Sequence, residues 1–383
     1  MAPSLARTAA RRFVGPAALV ILSLGLGFVL MEGIASGILA FGALVIHRDQ
    51  IAAARYVDYD PELGWVSRPN VYIPDMYGKG VYLRTNSHGF RSNVEQRTKV
   101  PDGKVRIICS GDSFTFGYGV DNDHAWCQIL SELDGRIESI NMGQGGYGID
   151  QAYLWYRRDG RRFNPSIHIF AFIDEDFRRM GSDRFFDYGK PTLAIRGSAL
   201  QVENVPVPRR PFYVPSFQVR EVIRSLKTYE LLDKTRQRLR FDGQQGNASE
   251  TDEKARTDRA KIEDLALRVF SELREMASSQ QYKLVLVYLP LAEDCHGQRG
   301  KTASGDRWTS LRPRVKNLGV DVIDLTRDCQ TLTAQQIDGL FIPVGRLNYI
   351  FSAGHYTEEG NRFVAEALYE RLRAIVDSVD AGS

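Results

Sequence analysis

Five short runs of apolar and β-branched residues constrain the fold more than any other feature of the chain. They are VRIICS (105–110), IESIN (137–141), IHIFAFI (167–173), KLVLVYL (283–289) and VDVIDL (320–325). Such runs are typical of strands buried on both faces of a parallel sheet. Amphipathic stretches at 255–278 and 357–376 carry apolar residues at spacings of three and four, which indicates helices. The alternation predicts a doubly wound α/β sandwich with right-handed crossovers.

Two regions interrupt this alternation, and they suggest the domain organisation. Residues 181–256 are rich in proline and contain KPTLAIRGSALQVENVPV, which predicts a hairpin turning near Gly197. The polar end of this insertion predicts a mobile surface loop. The boundaries we expect are 1–50 for a cytoplasmic N-terminus and anchor, 51–100 for an extension of irregular and β structure packed on the core, 101–180 for the first part of the α/β domain, 181–256 for the insertion, and 257–378 for the second part.

An almost uncharged apolar run at 13–46, interrupted only by Glu32, precedes the α/β region. It exceeds the ~20 residues that a helix needs to cross a bilayer, and it is longer than the ~7 to 15 apolar residues of a cleavable signal peptide. We therefore expect one long, uncleaved transmembrane helix. The alternatives are a signal peptide cleaved near Ala35-Ser36-Gly37, and two membrane spans. Basic residues before the run favour a cytoplasmic N-terminus and place the bulk of the chain outside. These residues are Arg7, Arg11 and Arg12, against Arg48 and Arg55 after the run.

Charge and cysteine content exclude several function classes. Fifty Lys and Arg against 47 Asp and Glu give a net charge of +3, and no local basic stripe stands out, so we expect no nucleic-acid partner. The 4 cysteines form no C-x-x-C motif, so neither a metal nor another cofactor is predicted. Cys295 and Cys329 fall near predicted loops and could be oxidised to each other outside the cytoplasm. Cys109 and Cys127 are expected to be small buried side chains.

The loop after the first predicted strand, SGDSFTFG (110–117), holds a serine between a strand and a helix. In a doubly wound sheet, sites form beyond the carboxyl ends of the strands. Ser113 there could present its Oγ to a substrate, with its own N–H at the positive end of the helix. The alternative is that Ser113 is only a helix N-cap.

This block resembles the first conserved block of the SGNH (GDSL-like) hydrolase family, in Gly111-Asp112-Ser113 with Thr115 and Gly117. NMGQGG (141–146), continued by Gly148 and Gln151, is similar to the second block, and HYTEEG (355–360) to the last one. Upstream, DPELGW (60–65) and NSHGFR (86–91) resemble segments of membrane-anchored bacterial members. The resemblance implies a flavodoxin-like three-layer α/β/α sandwich, the SGNH hydrolase fold, here with an N-terminal transmembrane helix and a β-containing insertion.

The resemblance also implies acyl transfer. Ser113 would attack an ester carbonyl, and His355 would accept its proton and pass it to the leaving alcohol. The N–H groups of Ser113 and Gly146 would form the oxyanion hole. The residues expected to support these groups are Asp112, Ser352, Gln151 and Tyr147.

Two positions depart from the family pattern. Glu175 stands where an Asn normally supplies a third oxyanion donor, so its carboxylate must be protonated, turned away, or used elsewhere, for example in holding an arginine. Ser352 stands where Asp-x-x-His would place the carboxylate that orients the histidine. A backbone carbonyl, Ser352 itself, Asp174 or Asp176 could substitute, or the site could work as a Ser-His dyad.

Other candidate features carry less weight. The glycines of 143–148 have neither G-x-G-x-x-G nor P-loop spacing, which argues against nucleotide binding. His88, His124 and His168 show no second metal ligand at a useful spacing. The tryptophans and two tyrosines could include a sugar-stacking platform, although burial is the favoured interpretation for all of them except Tyr147. These aromatic residues are Trp65, Trp126, Trp155, Trp308, Tyr118 and Tyr147.

The function expected from these features is that of an SGNH-type serine hydrolase held in the inner membrane by one helix, with its main domain in the periplasm or outside the cell. It would remove or transfer an O-acyl group, such as acetyl, on an envelope carbohydrate, so its partners would be an acylated carbohydrate or other ester, the membrane, and envelope assembly proteins. The alternative is a catalytically impaired carbohydrate-binding or scaffold protein of an envelope-polysaccharide assembly system. An acyl-enzyme at Ser113 would form only in the first case.

Overall fold

The computed structural model of the chain describes residues 5–46, 56–185, 188–197, 199–208, 228, 231–232, 248–298, 306–347 and 352–380. Its strands are β1 Val57–Asp60, β2 Gly64–Ser67, β3 Tyr72–Ile73, β4 Leu83–Arg84, β5 Val105–Gly111, β6 Ile137–Gly143, β7 Ile167–Phe172, β8 Arg184–Phe185, β9 Tyr188–Gly189, β10 Thr192–Arg196, β11 Ala199–Glu203, β12 Lys283–Tyr288 and β13 Asp321–Asp324. Its α-helices are α1 Leu5–Ile46, α2 Ser113–Phe116, α3 Trp126–Leu133, α4 Ile149–Trp155, α5 Asp174–Met180, α6 Ala248–Gln280, α7 Ala292–Cys295, α8 Arg307–Lys316, α9 Thr326–Cys329, α10 Ala334–Leu340 and α11 Glu358–Asp380.

The five predicted strands form one parallel sheet in the order β13-β12-β7-β5-β6. Every residue of β5 is buried, as its apolar sequence predicts for a central strand. Numbered by their sequence among themselves, the strands follow the flavodoxin-like order 2-1-3-4-5, and the strand order reverses between β5 and β7. Loops from these two strands therefore border the crevice where ligands bind in this architecture.

Two separate apolar cores lie on the two faces of the sheet. Alternate residues of β5 point to opposite faces, so Ile107 and Cys109 enter one core and Ile108 the other. The first core is covered mainly by α3 and α11, and the second by α4, α6 and α8. The predicted α/β/α sandwich is confirmed, and the first and last residues of its five strands agree with the predicted ones to within two residues.

The N-terminal extension consists of short antiparallel strand pairs and loops, and it contacts the sheet. β1 pairs with β2 and β3 with β4, and Arg91 forms an isolated bridge with Asn141 of β6. The predicted hairpin of the insertion is also present, because β10 and β11 pair antiparallel around Gly197, whose φ is +61°.

One boundary prediction is wrong. The polar stretch up to residue 256 was expected to be a loop, but α6 begins at Ala248. In the sequence, the segment ASETDEKAR (248–256) has Glu and Asp close to its start, a composition typical of the beginning of a helix. Polar composition was therefore a poor guide here. The preceding part of the predicted loop lies outside the described residues.

By its internal contacts the chain divides into two units, Met1–Ile51 with Phe212–Ala248, and Ala52–Pro211 with Ser249–Ser383. The first unit contains α1, whose segment Leu19–Ile38 has a mean hydropathy of 2.0 and is long enough to cross a membrane. A signal sequence would satisfy the same criteria. The Glu32 carboxylate of this helix accepts hydrogen bonds from the N–H and the hydroxyl of Thr228. All the candidate catalytic residues belong to the second unit.

Candidate active site

Ser113 begins α2 directly after β5, at the carboxyl end of the sheet. Asp112 caps this one-turn helix by accepting a hydrogen bond from the Phe114 N–H at 2.9 Å. The turn is so tight that a Cβ at Gly111 would lie 2.5 Å from the Ala171 carbonyl oxygen. Gly117, with φ of +80°, ends the helix in the left-handed conformation. Close contacts at Gly111 and the left-handed backbone at Gly117 therefore favour glycine at both positions, on either side of Ser113.

His355 reaches Ser113 from the loop between α10 and α11. Its Nε2 lies 2.8 Å from Ser113 Oγ, so an unprotonated Nε2 can accept the hydroxyl proton. The imidazole stacks on Phe114, with ring centres 4.7 Å apart, and contacts Tyr118 at 4.9 Å. The backbone of His355 is also held, because its N–H donates to the Ser352 carbonyl at 3.2 Å. The structure thus brings together the two residues that the sequence assigns to nucleophile and base.

The loop after β6 lies against α2, the helix that Ser113 begins. A Cβ at Gly143 would lie 2.1 Å from the backbone nitrogen of Phe116, so only glycine permits this approach. Gly146 has a φ of +80°, and a Cβ there would lie 2.5 Å from the Phe185 ring. In the described part of the chain, no oxygen accepts a hydrogen bond from the N–H of Ser113 or of Gly146. These are the two N–H groups that the sequence assigns to the oxyanion hole.

A buried charge cluster lies behind the nucleophile. Nη1 of Arg179 lies 3.1 Å from Asp112 Oδ2, 2.7 Å from Asp176 Oδ1 and 2.9 Å from the carbonyl oxygen of Tyr147. Burial raises the pKa of Asp112 although Arg179 opposes the shift. Burial also raises the pKa of Asp176, and the neighbouring Asp112 charge adds to this. Sequence analysis found no role for Arg179, since no local pattern marks an arginine that is buried by contacts with distant loops.

Glu175 is used to hold an arginine, one of the alternatives that the sequence left open. Its carboxylate accepts a hydrogen bond from Arg178 Nε at 2.8 Å within the first turns of α5, and the Arg178 side chain is largely exposed. A carboxylate neutralised in this way repels a developing oxyanion less than a free one would. The half-buried Glu175, paired with the exposed Arg178, therefore occupies the position where the family pattern has an asparagine.

Neither Asp174 nor Asp176 serves as the partner of His355. Asp174 Oδ1 accepts from the N–H groups of Arg307 and Trp308 at 2.8 and 3.0 Å. Asp176 is bonded to Arg179 and to the N–H of Ile173. The buried position of Asp174 raises its pKa to about 6. Ser352 lies buried beside His355 and contributes its carbonyl oxygen to the backbone of that loop.

Gln151 and Tyr147, which the sequence assigns to supporting roles, bind the N-terminal extension. Gln151 Nε2 donates to the Leu63 carbonyl at 2.8 Å, and the Tyr147 hydroxyl donates to the Trp65 carbonyl at 2.5 Å. Trp65 in turn donates from Nε1 to the Gly145 carbonyl at 2.9 Å. Because Tyr147 is fully buried, the suggestion that it stacks on a sugar is wrong. The four tryptophans are buried as predicted, and Tyr118 is half-buried beside His355.

Arg91 is a second arginine that sequence analysis did not assign to the site. It is 1% exposed, and its guanidinium donates to the carbonyls of Phe116, Gly117 and Val120, at 2.5, 2.6 and 2.5 Å, and to Asn122 Oδ1 at 2.9 Å. It thereby holds the end of α2 and the loop that follows. The only indication in the sequence that Arg91 has a role was its place in the upstream segment 86–91.

Two further histidines have partners that the sequence did not reveal. His168 Nε2 lies 2.6 Å from Ser110 Oγ, but both residues are buried in the sheet and burial lowers the histidine pKa, so this second Ser-His pair is structural. His124 lies beside Asp121, with Nδ1 2.8 Å from Oδ1, and its other nitrogen is 3.7 Å from a Glu358 oxygen. Glu358 lies far from His124 in the sequence, so spacing along the chain could not reveal this contact.

The cysteines lie as expected. Cys295 at the end of α7 and Cys329 at the end of α9 form a disulfide. Cys109 and Cys127 are free and buried. Oxidised cysteines are typical of proteins outside the reducing cytoplasm.

The chain matches no family model and no curated protein sequence. It is similar to solved structures of lipolytic and esterase proteins at low identity. A member of the lipolytic protein G-D-S-L family from Veillonella parvula is 14% identical, with 70% of this chain and 97% of that one covered and a TM-score of 0.34. The acetyl xylan esterase AlAXEase is 16% identical, with 70% of this chain and 100% of that one covered and a TM-score of 0.38. The lipase/acylhydrolase from Enterococcus faecalis is 12% identical, with 71% of this chain and 97% of that one covered and a TM-score of 0.36.

Proposed function

We propose that the chain is an SGNH-type serine hydrolase that cleaves or transfers ester-linked acyl groups. The observation that carries this proposal is the distance of 2.8 Å between Ser113 Oγ and His355 Nε2 at the carboxyl end of β5. Two N–H groups with no described acceptor, those of Ser113 and Gly146, lie on the two loops that border the nucleophile. Nucleophile, base and oxyanion donors are the parts that acyl transfer requires.

In the proposed reaction, Ser113 Oγ attacks the ester carbonyl carbon while His355 Nε2 takes the hydroxyl proton. The carbonyl oxygen becomes an oxyanion that the N–H groups of Ser113 and Gly146 stabilise, each worth ~2.7 to 4 kcal/mol of barrier. The tetrahedral intermediate collapses, the C–O bond to the alcohol breaks, and His355 returns the proton to the leaving oxygen. Water or a second hydroxyl then attacks the acyl-enzyme by the same steps in reverse, and Ser113 is regenerated.

The substrate class we propose is an O-acylated carbohydrate of the cell envelope, with acetyl as the acyl group. This rests on the predicted location of the chain: α1 contains one segment apolar enough to cross a membrane, and arginines precede it. The disulfide between Cys295 and Cys329 supports a domain on the oxidising side of that membrane. Labelling of an introduced surface cysteine in intact cells with a membrane-impermeant maleimide would test the orientation.

The test of the activity uses the full-length chain in a mild detergent with 4-nitrophenyl acetate. We expect turnover in the wild type and a loss of at least 1000-fold in Ser113→Ala and in His355→Ala. Ser110→Ala is the matched control, because Ser110 also bonds a histidine but lies buried in the sheet. It should keep kcat within about threefold of the wild type.

The remaining variant addresses the missing third oxyanion donor. Glu175→Asn restores the amide of the family pattern and frees Arg178. A rise in kcat would indicate that the carboxylate impairs the oxyanion hole. Absence of turnover in the wild type with water and with sugar acceptors, together with tight binding of an envelope glycan, would instead favour the scaffold alternative.

A further inference from the structure

Arg179 connects three segments that must be aligned for acyl transfer. From a single nitrogen, Nη1, it contacts the residue before the nucleophile, the residue after Gly146 and the first turn of its own helix. The side chain is 12% exposed, and the ring of Phe185 covers the guanidinium at 5.3 Å. A residue in this position can set the relative placement of the nucleophile and the oxyanion loop.

The Ser113 hydroxyl has two acceptors within reach. His355 Nε2 lies at 2.8 Å, whereas Oδ2 of Asp112 lies at 3.4 Å. Only the first acceptor is useful, because a hydroxyl bonded to Asp112 is directed away from the base that must take its proton. The longer distance exceeds the usual 2.5 to 3.0 Å of a hydroxyl hydrogen bond. The oxygen that competes for the Ser113 proton is the same Oδ2 that Arg179 binds.

We propose that Arg179 is a positioning residue for the nucleophile: it holds the Asp112 carboxylate away from the Ser113 hydroxyl, so that the hydroxyl bonds His355, and it fixes the Tyr147 peptide beside the oxyanion donor. The proposal rests on the proposed function, since it assigns Arg179 a role in that reaction.

The charges in the cluster support this role. One guanidinium faces two carboxylates, Asp112 and Asp176, which are 1% exposed each. Without the guanidinium, the two acids would be left buried with no compensating cation, and the Asp112 side chain would be free to accept from the nearest donor, which is the Ser113 hydroxyl. The loss of Arg179 is therefore expected to misdirect the nucleophile as well as to destabilise the cluster.

The experiment measures the rate at which a fluorophosphonate probe labels Ser113 in the full-length chain. Ser113 Oγ attacks phosphorus, the P–F bond breaks, fluoride leaves, and His355 takes the proton. We expect Arg179→Met to lower the second-order rate constant at least 100-fold, while the final labelled fraction is unchanged. Arg106→Met is the matched control, because Arg106 is fully buried and bonds Glu138 and three carbonyls near the opposite end of β5. It should stay within threefold of the wild type.

Two double variants separate positioning from stability, and they also serve if Arg179→Met alone fails to fold. Arg179→Met with Asp112→Asn, and Arg179→Met with Asp176→Asn, remove the same charges, but only the first removes the carboxylate beside Ser113. Asparagine can still cap α2. We expect the first double variant to label at least tenfold faster than the second.

Three results would decide against the proposal. Equal rates in the two double variants would overturn it, because a purely structural arginine would give that result. A rate for folded Arg179→Met within threefold of the wild type would do the same. A wild type that the probe does not label at Ser113 would instead overturn the proposed function, and the positioning role with it.

Discussion

Replacing Arg91 with methionine should destabilise the domain strongly, because this buried guanidinium has only neutral acceptors. Its four hydrogen bonds go to three backbone carbonyls and one amide oxygen, at 2.5 to 2.9 Å. Burial lowers the pKa of Arg91 from its ordinary value, so the protein already bears a desolvation cost to keep the side chain there. Methionine fills much of the same volume but donates to none of these oxygens.

The magnitude follows from the contacts. A hydrogen bond from a charged donor contributes ~1.5 to 3 kcal/mol, and each buried acceptor left unsatisfied costs ~1 to 3 kcal/mol. Part of this is offset because the variant no longer buries a charge, so we expect a net loss of about 4 kcal/mol in the free energy of unfolding. For a unit of about 300 residues that corresponds to a fall of about 6 °C in the unfolding midpoint.

The assay is thermal and urea-induced unfolding of the full-length chain, followed by tryptophan fluorescence at pH 7. Arg84→Met is the matched control, since the Arg84 side chain is exposed on β4 and such a change costs at most ~0.5 kcal/mol. Because Arg91 holds the carbonyls of Phe116 and Gly117, turnover should also fall at temperatures where the variant is folded. A loss of less than about 1 kcal/mol would refute the reasoning, since it would mean that the buried oxygens find other donors.

Three further predictions concern stability, pH and local geometry. Reduction of the disulfide between Cys295 and Cys329, which lie 34 residues apart, should cost about 3 to 4 kcal/mol by loop entropy, seen as a lower unfolding midpoint with a reductant; an unchanged midpoint would contradict it. The pKa of Asp174 is raised to about 6 in the native state, against ~3.9 in the unfolded state, so the free energy of unfolding falls as the pH rises from 4 to 6. Asp174→Asn should remove this loss of about 3 kcal/mol, measured by urea unfolding of both proteins at pH 4 and pH 7.5. If the difference in unfolding free energy between variant and wild type is the same at the two pH values, the prediction is wrong. Gly143→Ala should abolish turnover, because its Cβ would lie 2.1 Å from the Phe116 nitrogen; near-normal kcat in the folded variant would show that the loop can move without harm.

The sheet could be predicted from the sequence because its strands are buried on both faces. In VRIICS and IHIFAFI the short runs of apolar and β-branched residues indicate buried strands, and parallel pairing with neighbouring strands places both in the interior of the sheet. The proposed catalytic pair could be predicted for a different reason. Ser113 and His355 lie in short motifs next to elements that the hydrophobic pattern also predicts, so their place at one edge of the sheet followed from the topology.

The residues that organise the site could not be predicted in this way. Arg179 binds Asp112 across 67 positions, and Arg91 binds Phe116 across 25, with no periodicity to connect them. Arginine is rarely buried, so composition favours the surface for both. The role of Glu175 depended on a neighbour three positions away, Arg178, and on the helix that brings the two together. The two arginine pairings depend on tertiary contacts, which local sequence does not encode, whereas the Glu175–Arg178 pair depends on where the helix lies.

The separation of 242 positions between Ser113 and His355, the proposed nucleophile and base, has a consequence for the synthesis of the protein. A ribosome extends a chain from its N-terminus, so Ser113 emerges long before His355. By the proposed mechanism, the nascent chain throughout that interval holds Ser113 without its base, so it can neither attack esters nor react with inhibitors that need an activated serine. Ser113 becomes reactive only when the segment around His355 packs against the folded sheet. Reactivity of Ser113 would therefore report a late step of correct folding.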